Sequence, residues 1–514
     1  MQRRDLLKGF ALGSSLSIIP FASAFAAADQ VLEADLCVVG AGAGGISAGL
    51  SGVENGLKTV VLEKLSMVGG GGNFMEGTFA VGSHIQRAEN IGINPEKQFK
   101  KVMDFHHWRI PGRVLNGWLK ETAETIAWSE RNGVNFQGAH TMFIDGTRTW
   151  HMFEGDHGSS LIKAFTERYK KAGGTLLTST PAKSLTVDDK GAVTGVVAET
   201  KDGRKLLVKA KAVVIATGGF ANNKEMVAKY LSYPGYMSAG AAGSTGDGIR
   251  MMEAVGAKLV NMGVCMQGGI WLKGVPTSED FGKHGAPLMR LQAALQQPLL
   301  KVSLQGDRVV DESEAVEYVS NAFEEVGGQG FIVFDDDTRR ELVENGMPVA
   351  TGGMVPAGEK FTDFDQQFGL GVKRGFCFKA DTLEELAKKT GMDPARLKFT
   401  CDRMNAMTKA QKDDEFYKDA RWLRAVKTGP FYAIQGELAM FATTGGASVD
   451  TNYQVLNAKG YPIPGLYAIG QDAGGLYSDS YDMHIAEGTA SSWAITGGRM
   501  AARHVAELKK SGLI

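Results

Sequence analysis

Three glycines, Gly40, Gly42 and Gly45, stand in the spacing Gly-x-Gly-x-x-Gly, and a carboxylate, Glu63, closes the next apolar run. Glycine does no covalent chemistry, but in this spacing it opens the backbone to a phosphate. Gly40 permits a tight turn, Gly42 lets the main chain approach a pyrophosphate, and Gly45 lets a helix pack close to the preceding strand. The helix start adds unpaired N–H groups and the positive end of its dipole. Glu63 accepts hydrogen bonds from ribose hydroxyls and repels a 2′-phosphate, which favours FAD or NAD over NADP. Ala43 at the helix start and Lys64 beside the carboxylate belong to the same predicted contact. The elements that must hold these groups surround them: Leu36-Cys37-Val38-Val39 is an apolar strand, a small-residue helix runs to Asn55 with Gly56 as its cap, and Thr59-Val60-Val61-Leu62 is a second buried parallel strand. A glycine turn of purely structural use is the alternative for the triplet alone; strand, helix and acid together argue against it.

With 514 residues the chain is long enough for two or three domains. A formal net charge of -1 gives no electrostatic reason to expect nucleic acid or an anionic membrane as partner. The 67 glycines cluster in short loops beside apolar runs, which favours backbone-lined ligand sites over disorder. Cys37, Cys265, Cys377 and Cys401 are far apart and form no metal, iron–sulfur or covalent haem motif, so buried thiols are expected and no metal site. Arg3-Arg4 precedes an apolar run from Gly9 to about Phe21, and Ala22-Ser23-Ala24 and Ala24-Phe25-Ala26 offer two small-x-small cleavage points. This pattern predicts a twin-arginine signal over residues 1–26, passage through that translocon in the folded state, and a periplasmic mature chain. No later segment is long and apolar enough to span a bilayer.

Further along, Gly69-Gly70-Gly71-Gly72-Asn73 reads as a loop able to lie flat against a planar ligand, with Gly71, Gly72 and Asn73 completing the cradle. From about Pro95 to Asn132, Phe105, Trp108, Leu115, Trp118, Leu119, Ile126 and Trp128 recur at helical spacing and read as core. Another helix is expected from Asp156-His157-Gly158 to Ala172. Residues 175–207 read as short strands joined by hairpin turns at Asp188-Asp189-Lys190-Gly191 and Lys201-Asp202-Gly203. Then Ala212-Val213-Val214-Ile215-Ala216-Thr217-Gly218-Gly219 repeats the opening theme of an apolar strand ending in glycines, and Ser244-Thr245-Gly246-Asp247-Gly248 opens a helix. From about Met262 to Met440 charged helices dominate, as over residues 382–390 and 394–410, where Asp393-Pro394 marks a helix start. Gly465-Leu466-Tyr467-Ala468-Ile469-Gly470-Gln471 is a third glycine-edged strand, and Gly488-Thr489-Ala490 begins the last helix. The expected fold is therefore α/β: a discontinuous Rossmann-like domain from residues 27–261 and 441–514, with an inserted α+β capping domain at 262–440. A domain placed over a cofactor is suited to expel water.

Taken together, residues 38–45 with Glu63, Gly71-Gly72-Asn73, Ala216-Thr217-Gly218-Gly219-Phe220, Thr245-Gly246-Asp247-Gly248, Gly306-Asp307-Arg308-Val309-Val310-Asp311-Glu312 and the strand ending at Gly470 resemble the flavoprotein subunits of the fumarate reductase and soluble flavocytochrome c group, with the 3-ketosteroid dehydrogenases as relatives. The motifs run in the family's order over almost the whole chain. The resemblance implies FAD as cofactor, bound by Gly40, Gly42, Ala43, Gly45, Glu63, Lys64, Gly71, Gly72, Asn73, Thr217, Gly218, Gly219, Asp247, Gly470, Gln471, Thr489 and Ala490. It also implies hydride exchange between flavin N5 and a carbon–carbon bond beside an electron-withdrawing group. No second Gly-x-Gly-x-x-Gly follows a strand, so no nicotinamide domain is expected, and the absence of Cys-x-x-Cys-His leaves a separate periplasmic, multihaem cytochrome as the implied electron donor.

The departures from that family bear on the substrate. Where its fumarate reductases hold dicarboxylates with two histidines and an arginine, and protonate with another arginine, this sequence has no histidine between Met262 and Gly269, reads Phe441-Ala442-Thr443-Thr444 before Gly445-Gly446, and has Val316 and Tyr481 at the arginine positions. Four missing cationic or imidazole groups make fumarate a poor substrate. Phenols stand there instead, Tyr481 at an arginine position and Tyr318 close by, with His484 near them. A tyrosine in a dry pocket can both protonate and stabilise a developing enolate; the alternative is packing at a domain interface with satisfied hydroxyls. The expected activity is reduction of the C=C bond of an α,β-unsaturated, weakly charged carbonyl or carboxylate compound. A dehydrogenase running in reverse, or a non-catalytic flavin electron carrier, are the other readings.

Overall fold

A computed structural model describes residues 19–143, 146–275, 286–352 and 355–514. Arg3-Arg4 and most of the apolar run behind them lie outside the described residues.

The apolar runs that end in glycine become neighbouring strands. Gln30–Val39 lies parallel to Thr59–Leu62 on one side, with Val38 opposite Val61, and to Lys205–Ile215 on the other, with Val38 opposite Val214. Pro462–Ala468 joins Lys205–Ile215 in parallel, Tyr467 opposite Val214. Their ends nearest the glycines, residues 36–39, 59–62, 212–215 and 466–468, are buried on both faces, which is why these stretches read as continuous apolar runs rather than alternating. In this register Gly40, Thr217-Gly218 and Gly470 emerge side by side at one edge, with Glu63 beside them. Thr175–Leu177 extends this nine-stranded sheet on the Thr59–Leu62 side, and Val193–Glu199, Ala182–Val187 and Ile19–Pro20 extend it on the other. Both predicted hairpins form, with Gly191 and Gly203 at positive φ. Lys205–Ile215 is one unbroken strand instead of the predicted short pieces, because Lys209 and Lys211 alternate outward from an apolar inner row and Lys209 meets Glu33 at 3.2 Å.

Helices Ala43–Glu54 and Thr489–Lys510 pack backbone to backbone. A Cβ on Gly44 would lie 3.0 Å from Ala494 O, and one on Gly498 would lie 2.3 Å from Gly44 O. Ser51 bonds Arg499 O further along, so the two helices run parallel and begin at the same edge of the sheet. The predicted helices Pro95–Phe105, Gly112–Arg131 and His157–Lys171 form, and Trp118 and Trp128 are core. Trp108 is not: it is 59% exposed, because the helix stops at Phe105 and His107 and Trp108 both turn through positive φ.

A second sheet of six strands is built around Phe431–Thr443, which pairs with Cys265–Leu272, Gln329–Asp335, Cys377–Ala380 and, in parallel, Met237–Ser238. Helices Leu383–Thr390 and Pro394–Ala410 are capped by Thr382 and Asp393 as their sequence suggests. They share a separate apolar cluster with this sheet. All four cysteines are buried and unpaired. Among the described residues no helix is long and apolar enough to cross a membrane.

Candidate active site

The glycine edge separates into two kinds of glycine. Gly40 has φ +105°, and a Cβ there would lie 2.2 Å from Ala216 O; a Cβ on Gly45 would lie 1.9 Å from Gly40 O. These two are demanded by the protein's own packing. Gly42 has φ -73°, and its Cβ would meet nothing nearer than Gly69 O at 3.6 Å. Its smallness is therefore free for something outside the protein to use. Gly42 is also the N-cap of Ala43–Glu54, and Gly488 the N-cap of Thr489–Lys510; neither helix has a side-chain cap among the described residues. Two long helices thus start uncapped at one edge, offering N–H groups and positive dipole ends to an anion or a carbonyl oxygen.

The remaining predicted contacts are spoken for in part by the protein. The Glu63 carboxylate accepts the Ala41 N–H at 2.9 Å and the Leu65 N–H at 2.8 Å, which fixes it beside the glycine turn with acceptor capacity left over. Lys64 Nζ donates to Thr245 Oγ1 at 2.6 Å and Asp247 Oδ2 at 2.8 Å, so Lys64 and Asp247 latch two loops to each other. Burial works against the Asp247 charge, but Lys64, Thr245 and Arg250 together hold its pKa below the ordinary carboxylate value. Gly70–Phe74 is a 3₁₀ turn instead of a flat loop: Gly69 has φ +110° and Asn73 Nδ2 folds back to Val68 O at 3.1 Å. Gly72 is pressed against Ala43, whereas Gly71 faces open space among the described residues. Thr217 and Gly218 donate their N–H groups to Asp472, the Gly218 bond measuring 3.0 Å, and Gly219 and Gln471 lie against each other. Burial pushes Asp472 up to about 6 despite these bonds. Gly470 turns at φ +58° against Ala494.

Beside this edge, loop 478–488 meets helix Val316–Glu325. The Tyr318 hydroxyl lies 3.2 Å from His484 Nδ1. Phe105 packs on both rings at 6.3 and 6.2 Å, and Phe143 meets His484 edge-on at 6.1 Å. Burial, with the neighbouring Glu317 and Glu314 charges, raises the Tyr318 phenol to about 12. Burial and then the Lys101 charge lower the His484 imidazole. Tyr481 is not in this pair. Its side chain is 2% exposed, with its ring 5.3 Å from Tyr477. Burial and the Asp482 charge raise its pKa, while the Thr489 hydroxyl and the Ala490 N–H work the other way.

Four residues not assigned from the sequence belong to this region. Asp472 joins the second and third glycine edges, and its place just past a strand end, like that of Glu63, was a usable signal. Glu317 accepts the His484 N–H at 2.8 Å through Oε1, and burial pushes its carboxyl up to about 7. Asp482 and His106 are fully buried, and nothing local in the sequence announces that they meet. Among the described residues no cluster of His, Cys, Asp or Glu could hold a metal ion.

A family model described as FAD binding domain matches residues 35–484, and the chain belongs to that family with FAD as its cofactor. The open Gly42, the two uncapped helix starts and Glu63 fit that group. The vinyl phenol reductase of Lactiplantibacillus plantarum is 34% identical over 480 residues, 92% of this chain and 96% of that protein. The fumarate reductase (cytochrome) of Shewanella frigidimarina is 28% identical over 481 residues, 93% of this chain and 77% of that one. A 3-ketosteroid-Δ4-(5α)-dehydrogenase from Rhodococcus jostii shares the fold, with a TM-score of 0.71 at 22% identity over 93% of this chain and 97% of that one.

Proposed function

We propose that this chain is an FAD-dependent reductase of a C=C bond conjugated to an aromatic ring or a carbonyl group, taking weakly charged substrates and not fumarate. The observation that carries the reading is the Tyr318–His484 pair at 3.2 Å, walled by Phe105 and Phe143, in a chain that lacks the family's dicarboxylate grip. The similarity to a vinyl phenol reductase supports an aromatic substrate. Bound FAD, when reduced, supplies the hydride. The glycine edge and the two helix starts hold the cofactor, with Gly40, Gly42, Ala43, Gly45, Glu63, Gly71, Gly72, Thr217, Gly218, Gly219, Gly470, Gln471, Thr489 and Ala490 lining it and Lys64, Asn73 and Asp247 fixing its loops. Tyr318 and His484 orient and polarise the conjugated group, and Tyr481 delivers the proton to carbon. Residues 27–261 and 441–514 form the cofactor domain and 262–440 the cap. Export through the twin-arginine route and a separate multihaem cytochrome as donor complete the reading, supported by Arg3-Arg4 and by the absence of any Cys-x-x-Cys-His in the sequence.

An anaerobic screen with reduced methyl viologen against 4-vinylphenol, cinnamate, urocanate, 2-enones and fumarate tests it. The aromatic or enone members should turn over at least about a hundredfold faster than fumarate, since even one missing charge-assisted hydrogen bond is worth about 1.5–3 kcal/mol. Turnover of fumarate alone would overturn the reading.

A further inference from the structure

Two of the stretches that lack the family's charged groups carry a buried oxygen with nothing to bond. Gln267 falls in the histidine-free stretch 262–269, and Glu317 follows Val316. Gln267 is 5% exposed and Glu317 fully buried. Gln267 Oε1 and Glu317 Oε2 have no hydrogen-bond partner among the described residues. Buried polar atoms in native proteins are almost always paired, so two orphans in one region point to a partner from outside the chain.

The fold brings these two residues to one place. Strand Cys265–Leu272 slips register on both sides of Gln267, an irregularity of the kind that re-aims a side chain. Gln267 Nε2 donates to Asn321 Oδ1 at 2.6 Å. Asn321 stands one turn after Glu317 on helix Val316–Glu325, on the same face. That face meets loop 478–488: Asn321 Nδ2 donates to Ser480 Oγ at 3.4 Å, and Glu317 Oε1 accepts the His484 N–H at 2.8 Å. Asn321 thus links the two residues beside the Tyr318–His484 pair.

Their hydrogen-bonding senses differ. Gln267 Oε1 is a carbonyl oxygen and only accepts. The neighbouring Tyr236 hydroxyl does not serve it, because it donates to Glu324 Oε1. On Glu317, Oε1 already takes an N–H group, so a proton on this carboxyl sits on Oε2, which then donates. Burial pushes the carboxyl up to about 7, so that near neutral pH much of it is protonated. An acceptor beside a donor matches a hydroxyl group, which gives one hydrogen and takes another. A carboxylate has no hydrogen for Gln267 and would add its charge to those of Asp482 and Glu487, which already act on Glu317. A carbonyl oxygen also leaves Gln267 Oε1 unpaired, and a bare ring leaves both atoms so. Phe105 and Phe143, which wall the Tyr318–His484 pair, suit an aromatic ring behind the hydroxyl.

We infer that Gln267 and Glu317 form a receptor for a neutral hydroxyl group, and that the alkene reduced at this site carries one, as an alkenylphenol does. This rests on the reductase reading above and names its substrate class.

Binding to the oxidised holoenzyme tests it without turnover. 4-Ethylphenol, 4-ethylanisole, ethylbenzene and 3-phenylpropanoate, which have no alkene to reduce, are titrated in, and the shift of the flavin absorbance gives each affinity. 4-Ethylphenol should bind roughly ten- to a hundredfold tighter than 4-ethylanisole or ethylbenzene, since a site built to bond a hydroxyl is left unpaired by an analogue without one. Gln267→Leu and Glu317→Leu holoenzymes that retain their flavin spectrum should lose this preference, whereas Glu317→Gln, which keeps an acceptor and a donor in the same outline, should retain it. Equal affinity for 4-ethylphenol and 4-ethylanisole in the unsubstituted protein overturns the hydroxyl receptor, and aromatic or enone turnover in the screen above would then leave the reductase reading standing. A preference intact in both leucine variants overturns the assignment to Gln267 and Glu317. Tightest binding of 3-phenylpropanoate, or turnover of fumarate alone, overturns both levels. A further readout needs neither leucine variant to fold: the infrared carbonyl band of protonated Glu317, identified by its loss in Glu317→Gln, should shift on binding 4-ethylphenol more than on binding ethylbenzene. An equal response to the two ligands would contradict the contact.

Discussion

Replacing Gly42 by alanine asks what the glycine edge is for. The added methyl stands 3.6 Å from its nearest protein neighbour, Gly69 O, at ordinary contact distance. The backbone at φ -73° and ψ -174° is one that alanine adopts without strain. The flavin-stripped protein therefore loses only the modest advantage of glycine over alanine at an N-cap, at most about 1 kcal/mol. The methyl does project into the face where the cofactor's pyrophosphate must approach. Overfilling a fitted contact costs about 1–3 kcal/mol, which weakens FAD binding roughly ten- to a hundredfold. Quenching of flavin fluorescence on titration into stripped Gly42→Ala gives the affinity, and urea denaturation of the same sample gives the fold's stability. The contrast is Gly45→Ala, whose methyl would sit 1.9 Å from Gly40 O and must displace the turn, so that stability and binding fall together. Gly42→Ala binding FAD as tightly as the unsubstituted chain would refute the placement of the phosphate; an equal loss of stripped-protein stability would show Gly42 to be a packing glycine instead.

Tyr318→Phe removes the hydroxyl that meets His484 and should lower turnover by roughly tenfold or more while leaving FAD content unchanged, read by steady-state assay beside the flavin spectrum. Burial holds Glu317 near 7 against 4.5 in an unfolded chain, so between those values the fold keeps a proton that the unfolded chain releases, and stability declines as pH rises through this window before levelling off. Glu317→Gln removes that decline: its denaturation midpoint should gain on the unsubstituted protein as pH rises from about 5 to about 8, by about 3 kcal/mol. Beside the second sheet, Glu312 pairs with Arg308 at 3.0 Å and Lys418 at 2.8 Å, all three nearly or fully buried. Arg308 also pairs with Asp413 at 2.8 Å, so Glu312→Ala leaves the buried Lys418 without a carboxylate and should cost about 3–5 kcal/mol in urea.

The parts of this fold that could be read from the sequence are those whose cause is local. A run such as Leu36-Cys37-Val38-Val39-Gly40 carries both its burial on two faces and its sharp exit, and Asp393-Pro394 writes its own helix start. What escaped depends on partners far along the chain. Trp108 follows the helical spacing of Trp118 and Trp128, yet the chain breaks at Phe105 and turns it outward. Asn73 looked free to meet a planar ligand but spends its amide on Val68 O, and Lys64 spends its charge on Asp247. Met237–Ser238 joins the second sheet through a strand some two hundred residues later, a pairing no window of sequence contains. In the candidate site, the sequence placed Tyr481, Tyr318 and His484 together in one pocket. The fold pairs Tyr318 with His484 and sets Tyr481 against Tyr477 instead, because helix Val316–Glu325 meets the loop at His484 while the Tyr481 ring packs on Tyr477.

Whether reduced flavin in this protein hands its hydride to a conjugated, weakly charged alkene is read most directly from one mixing experiment on the purified protein. Its bound FAD is reduced without oxygen, excess reductant is removed, and the flavin absorbance is followed on adding 4-vinylphenol, cinnamate, a 2-enone or fumarate in turn. A conjugated aromatic or enone compound should reoxidise the flavin rapidly, with the saturated product formed in one-to-one ratio to flavin, and fumarate should give little response. Rapid reoxidation by fumarate with none by the others, or a protein that folds but holds no flavin, would contradict it.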